Sequence, residues 1–190
     1  MNPALERFLA KFSELSVADR ESLAAHIVVK EVKKNTILVR QGERCNQCFF
    51  VLEGCLRQYV STAEDERTTA FYTEEQAVNF FTGEDSTTAT SYLSALEDST
   101  IMVGDPEKDK DLYAAFPALA SITRSMIELD LVRTKSSFAK FRTSSPEERY
   151  LGLLEERPEL PQRVPQNILA SYLGMTPESL SRIKRRIHKK

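Results

Sequence analysis

The most constraining feature of the sequence lies near its end. Residues 164–187 read VPQNILASYLGMTPESLSRIKRRI. From Gln166 to Leu173, the residues Ile168, Leu169, Tyr172 and Leu173 fall on or near one face of a helix. Gly174 follows, where a tight turn between helices wants a residue free to take positive φ. Thr176 suits the N-cap of a second helix and Pro177 its first turn. In that helix Leu180, Ile183 and Ile187 stand at i, i+3 and i+7 and face inward. Glu178, Ser179, Ser181, Arg182, Arg185 and Arg186 point elsewhere. Two short helices joined by a glycine turn, the second polar and basic on its open side, are the parts that a DNA major-groove reader needs.

Charge is distributed to match. The chain of 190 residues has a net charge of −2. Residues 163–190 hold seven cations against one acid, a net of +6, whereas the rest holds 19 cations against 27 acids, a net of −8. An acidic body with a basic end points to a polyanion partner at that end. Each polar position of the second helix then has an expected role. Glu178 accepts from a cytosine amino group and Arg182 grips a guanine. Thr176, Pro177 and Ser179 form the helix start, which holds a phosphate. Ser181 lies on the open side. Arg185, Arg186 and the terminal lysines supply sequence-independent affinity, and His188 neighbours the DNA backbone.

The preceding residues divide into two regions. Residues 3–13 and the segment after Ser16, with Leu23 and Ile27, read as amphipathic helices. Thr36–Gln41, Cys48–Glu53, Leu56–Ser61 and Thr68–Thr73 then read as strands, with further pieces at Val78–Phe81 and Thr100–Val103. Gly42 and Gly54 punctuate them, and short strands at such spacing imply a barrel or sandwich. After a charged break at Asp105–Asp111, residues 112–141 contain one proline and no glycine, so one long helix is expected. Leu119, Ile122, Met126 and Leu129 step by three and four along it, as the seam of a homodimer would, the alternative being that they pack onto the chain's own barrel. Ser145, Pro146 and Glu148 start another helix with a capping box. The expected domains are residues 1–111, 112–142 and 143–190. No apolar run approaches the roughly 18 residues that a membrane span needs, and the first residues lack a signal-peptide core, so a cytoplasmic protein without membrane contact is expected.

These stretches resemble the Crp/Fnr superfamily, the cyclic-AMP receptor and fumarate-nitrate regulators, over nearly the whole chain. The residues that carry the likeness are Ile37–Glu43, Phe49–Arg57, Ser94–Ser99, Pro146–Tyr150 and, most specifically, Leu173–Arg182. The resemblance implies an α+β fold with an N-terminal cyclic-nucleotide-binding-like β jelly roll, a long dimerisation helix and a C-terminal winged helix-turn-helix. It also implies a homodimeric transcriptional regulator whose partners are double-stranded DNA, a small-molecule effector of unknown identity and RNA polymerase. Glu178 and Arg182 match the family's recognition helix, but Pro177 stands where an arginine is usual, so a different base preference is expected. The wing is expected to be short or absent, because the chain stops at Lys190.

The family's cyclic-nucleotide site has a Gly-Glu pair for the ribose and an Arg-Ser pair for the phosphate. By alignment these fall on Val78 and Asn79, and on Thr90 and Ser91, so only Ser91 is retained. Gly83-Glu84 lies too close to Ser91 to serve instead. Thr134 occupies the position from which the long helix reaches a base. No lysine or arginine occurs between Arg67 and Lys108. A buried phosphate without a cation is costly, so no cofactor, and in particular no cyclic nucleotide, is expected. The effector pocket is read as degenerate or altered.

Cys45, Cys48 and Cys55 form at most part of a zinc or redox site, with His26 as the only plausible fourth ligand; they read rather as buried thiols, so no metal is expected. No nucleophile elbow, phosphate loop or paired-histidine motif is present, so an enzyme is not expected. The alternative to a DNA-binding regulator is a ligand-binding or protein-interaction module whose DNA function has lapsed.

Overall fold

A computed structural model describes residues 1–13, 15–79, 88–105 and 109–187. Among the described residues, eight antiparallel strands form two four-stranded sheets. They are β1 (Val28–Val32), β2 (Ile37–Val39), β3 (Cys48–Glu53), β4 (Leu56–Ser61), β5 (Glu66–Tyr72), β6 (Ala77–Asn79), β7 (Tyr92–Ala95) and β8 (Ser99–Gly104). The strand orders are β1-β8-β3-β6 and β2-β7-β4-β5, so the expected jelly roll is present. Phe80 and Phe81 of the strand expected at Val78–Phe81 lie outside the described residues, as do Gly83-Glu84 and His188–Lys190.

Strand β3 shows how the layers stack. Phe49 and Val51 point between the sheets, where they meet Leu56, Val78, Leu93 and Ile101. Phe50 and Leu52 point outward into a second core. A strand buried on both faces reads as an unbroken apolar run, and CFFVLE does. The second core is closed by α1 (Pro3–Leu9) and α2 (Val17–His26), whose Leu5, Leu9 and Leu23 are fully buried. Asn2 caps α1, and Ser16 forms a capping box with Asp19 on α2.

The expected single long helix is two. Helix α3 (Lys110–Ala115) ends at Phe116, and α4 (Pro117–Thr143) starts afresh. The cause is Pro117, which pushes the residue before it out of the helical region, to φ −126° and ψ 80° at Phe116. The expected seam also needs correction. Leu119 and Met126 pack against the second core, on the chain's own barrel. The exposed apolar residues of α4 are Ile127, Leu129, Leu131, Val132, Phe138 and Phe141.

Helices α5 (Pro146–Glu156), α6 (Leu160–Arg163), α7 (Gln166–Tyr172) and α8 (Pro177–Ile187) form the last unit. Its core of Tyr150, Leu153, Leu160, Leu169, Leu173, Leu180 and Ile183 is continuous with Cys55, Phe71 and Leu96 on the outer face of the second sheet. The contact has polar clasps. Ser171 Oγ donates to Glu66 O and accepts from Thr68 N, which satisfies backbone groups of the edge strand β5. Arg157 donates to Phe71 O and Thr73 Oγ1, both at 3.0 Å. Arg163 reaches both oxygens of Glu74 at 2.9 Å and also binds Glu97. This removes Arg163 from the basic end as charge alone had counted it, since two barrel carboxylates already neutralise it.

Glu74 also accepts from the backbone N–H of Gly54, at 3.0 Å. Partial burial opposes ionisation, but the bonds from Arg163, from its own amide and from Gly54 outweigh it and hold the carboxyl below its ordinary value of 4.5. A depressed folded-state value means stability that is present above pH 4.5 and is lost as pH falls through the lower value. Glu74→Gln should therefore melt below wild type at about pH 7, with the gap closing towards about pH 3, as followed by circular dichroism. A gap independent of pH would show that the carboxylate charge is not what clasps the two units.

Candidate nucleic-acid interface and effector cleft

The turn between α7 and α8 closes α7 as the sequence predicts. Met175 N donates to Ala170 O and Gly174 N to Ser171 O, both at 3.0 Å, the paired bonds of a Schellman motif. Gly174 takes φ +65°, and a Cβ there would lie 2.8 Å from the Phe141 ring. Gly174→Ala should cost about 1–2 kcal/mol from the left-handed conformation alone, a fall of roughly 2–8 °C in Tm for a chain of this size. An unchanged melt would mean that the turn relaxes without cost.

Arg149 braces this turn from α5. Its Nε donates to Leu173 O (2.9 Å), its Nη1 to Ser144 O (2.9 Å) and Phe141 O (3.3 Å), and its guanidinium lies 4.6 Å from the Phe141 ring centre. The end of α4, the start of α5 and the turn before α8 thus meet on one side chain.

Helix α8 is held by Leu180 and Ile183, both buried, with Ile187 packed alongside. Thr176 Oγ1 accepts from Ser179 N at 3.3 Å, as an N-cap does. Pro177, Glu178, Ser181, Arg182 and Arg185 line a concavity of about 320 Å³ together with Gln166 from α7. Glu178, Ser181, Arg182 and Arg185 share a face because they stand at i, i+3, i+4 and i+7. Arg182 and Arg185 are exposed, and each makes one long bond to a serine hydroxyl, Ser179 and Ser181, at 3.3 Å. Glu178 is held ionised, first by its own backbone amide and then by Thr176, with Arg182 helping.

Two residues depart from the expected layout. Arg186 is turned aside into an ion pair with Glu147 on α5, and such exposed pairs are weak. Gln166 had no distinguishing signal in the sequence. Its Nε2 donates to Pro177 O at 3.3 Å, which places it at the mouth of the concavity.

The positions aligned with the nucleotide site separate. Val78 is fully buried between the sheets and lines no cleft. Asn79 pairs with Cys48 through the backbone of β6 and β3. Thr90, Ser91 and Thr134 do come together. They line a cleft of about 2020 Å³ that runs from the barrel, under α4, to α5 and α7. Arg57, which precedes the cation-free stretch between Arg67 and Lys108, lines it as well. It is buried and already engaged, by Thr68 Oγ1 at 3.0 Å, by Glu66 at 2.8 Å and over the Tyr59 ring at 4.2 Å.

The cysteines are dispersed. Cys45 lies in the core between the sheets and Cys55 in the core beneath α5–α8. Burial pushes the Cys55 thiol up to about 12 and raises that of Cys48, so both are protonated and poorly nucleophilic. Among the described residues no group of three potential metal ligands is found. Likewise, among the described residues, no helix is long and apolar enough to cross a membrane.

The fold and the two surfaces define a class: a cyclic-nucleotide-binding-type barrel joined through a long helix to a compact helical unit. Residues 29–115 match the family model of the cyclic nucleotide-binding domain. No curated protein matches the sequence. Among solved structures, a CooA mutant from Carboxydothermus hydrogenoformans superposes with a TM-score of 0.71 at 19% identity, covering 95% of this chain and 83% of the other. The c-di-GMP responsive global regulator CLP of Xanthomonas campestris gives 0.70 at 18%, covering 92% of each chain. FixK2 from Bradyrhizobium japonicum gives 0.69 at 17%, covering 86% and 85%. The chain has the fold of the Crp/Fnr regulators.

Proposed function

We propose that the protein is a DNA-binding transcriptional regulator that acts as a homodimer on a near-palindromic site. One observation carries this reading. The exposed face of α8 is a concavity built from Gln166, Glu178, Ser181, Arg182 and Arg185, on a helix whose opposite face is fixed by Leu180 and Ile183. A rigid helix that presents a carboxylate and two lightly held guanidiniums outward has the donors and acceptors that base edges and phosphates require. Thr176 and the start of α8 offer backbone amides to a phosphate.

An apolar stripe on α4 supports dimerisation. Ile127, Leu131, Thr134, Phe138 and Phe141 recur at spacings of four, three, four and three, so they form one stripe. Their apolar members are 46–62% exposed. A second copy that covered this stripe would set two α8 helices about a twofold axis, in successive major grooves. The barrel supplies the effector half, with a site that lacks the phosphate-binding arginine, and the effector shifts the population between DNA-competent and incompetent dimers.

The test is selection from random duplex DNA by the purified protein, with and without cyclic AMP. A near-palindrome enriched equally in both arms is expected. Nucleotide-dependent enrichment would overturn the altered pocket. No enrichment, together with binding insensitive to salt, would overturn DNA recognition, because phosphate contacts release counterions.

A further inference from the structure

The cleft between the barrel and α4 has a floor of three linked polar side chains. Tyr72 Oη donates to Gln58 Oε1, and Gln58 Nε2 donates to Ser91 Oγ, each at 2.7 Å. Ser91 is 3% exposed, so the network is built into the barrel wall. It carries no net charge. Thr90 stands where a phosphate-binding arginine would be, and Arg57 is held by Glu66 and Thr68.

Helix α4 adds Asp130, Arg133 and Thr134 to the lining. Asp130 is half-buried, and among the described residues it has no hydrogen bond or ion pair. The cation that acts on it, Arg133, is three residues further on and itself exposed. Burial raises the carboxyl of Asp130, and its charge adds to the burial that raises the Tyr72 hydroxyl. A partly desolvated carboxylate with no donor among the described residues favours a donor brought by a ligand. A phosphate placed on the same floor would meet this carboxylate, with no arginine at Thr90 and with Arg133 already acting on Asp130.

We infer that the cleft binds a small ligand that presents a cationic N–H group, an amine, amidine or guanidine, to Asp130, with Gln58, Ser91 and Thr134 around its polar body. This deepens the reading of the barrel as the effector half of a DNA-binding regulator and rests on it.

The experiment screens the full-length protein by thermal shift against two sets of small molecules matched in size. One set holds primary amines, amidines and guanidines; the other holds phosphates, cyclic nucleotides and carboxylates. Stabilisers are then titrated by calorimetry against wild type, Asp130→Asn and Glu128→Gln, the last an exposed acid on the same helix. Stabilisation confined to the cationic set is expected, with a Kd at least about tenfold weaker in Asp130→Asn and unchanged in Glu128→Gln. Preference for the anionic set, cationic ligands that bind Asp130→Asn equally, or no stabiliser in either set would each overturn the inference. So would a change in the oligomeric mass of Asp130→Asn by light scattering, which would assign the carboxylate to contact between copies. Ligand binding is read without DNA, and the DNA affinity of Asp130→Asn is measured separately. Failure here is thus distinguishable from failure of the DNA-binding reading.

Discussion

Arg182→Ala is expected to remove about 1–3 kcal/mol per half-site from binding to the selected sequence while leaving affinity for random duplex nearly unchanged. The argument is geometric. Arg182 is one turn beyond Glu178, inside the concavity and exposed, and its one bond to Ser179 Oγ is long, at 3.3 Å. Little is lost when its guanidinium leaves that hydroxyl for a guanine, where two parallel N–H bonds replace one weak contact. Loss of such a fork should also relax preference at one base pair. Arg182→Lys keeps the charge but not the fork, so it should fail on the specific site almost as fully. Arg185→Ala is the contrast, expected to lower specific and random binding together and to reduce the salt slope by about one. The measurement is a fluorescence-anisotropy titration on the selected site, its single-base variants and a scrambled duplex. Equal loss on all three for Arg182→Ala would end its assignment as a base reader.

The parts of this site that the sequence revealed are those set by local rules. Thr176, Pro177 and Gly174 stand where cap and turn geometry demand them, and Leu180 and Ile183 mark the buried face without knowledge of what buries it. Strands β3 and β4 were legible because Gly54 divides two apolar runs. At Gly54 φ is +102° and a Cβ would fall onto Ser99. Strand β1 was not legible, since Lys30 and Glu31 interrupt VVKEV and α2 leads into it without a turn signal. Strand β7 is four residues, YLSA, too short for its period to show. What escaped altogether were partners distant in sequence. Arg163 looked like part of the basic end until Glu74 and Glu97, 89 and 66 positions away, were seen to hold it. Asp130 had no distinguishing pattern until the fold set it at the cleft beside the Tyr72–Gln58–Ser91 network. The seam was misread for a related reason. Helix α4 is apolar on more than one side, and periodicity finds an apolar stripe without telling which neighbour it meets. Leu119 and Met126 belong to the chain's own barrel.

Leu131→Glu combined with Phe138→Glu is expected to convert the proposed dimer to a monomer, so that light scattering reads 21.6 kDa instead of twice that mass. Leu131 and Phe138 are 52% and 62% exposed in the single chain and stand seven residues apart on one stripe. A carboxylate at both, opposite its own symmetry mate, sets like charges in an apolar seam. The consequence for DNA should exceed that of any single recognition residue. When two half-sites are read by linked helices, the second contact is effectively intramolecular, and unlinking them costs about 10²–10⁴ in affinity for the full palindrome. Affinity for an isolated half-site should barely change, because the core that holds α8 comes from α5, α6 and α7 and includes neither Leu131 nor Phe138. Val132→Glu supplies the control. Val132 is 65% exposed but lies far round the helix from the stripe, so this variant should remain dimeric and bind as wild type. A double variant that stays dimeric, or a Val132 variant that dissociates, would place the contact between copies on another face of α4. The register of the two α8 helices would then have to be derived anew, and with it the expected half-site spacing.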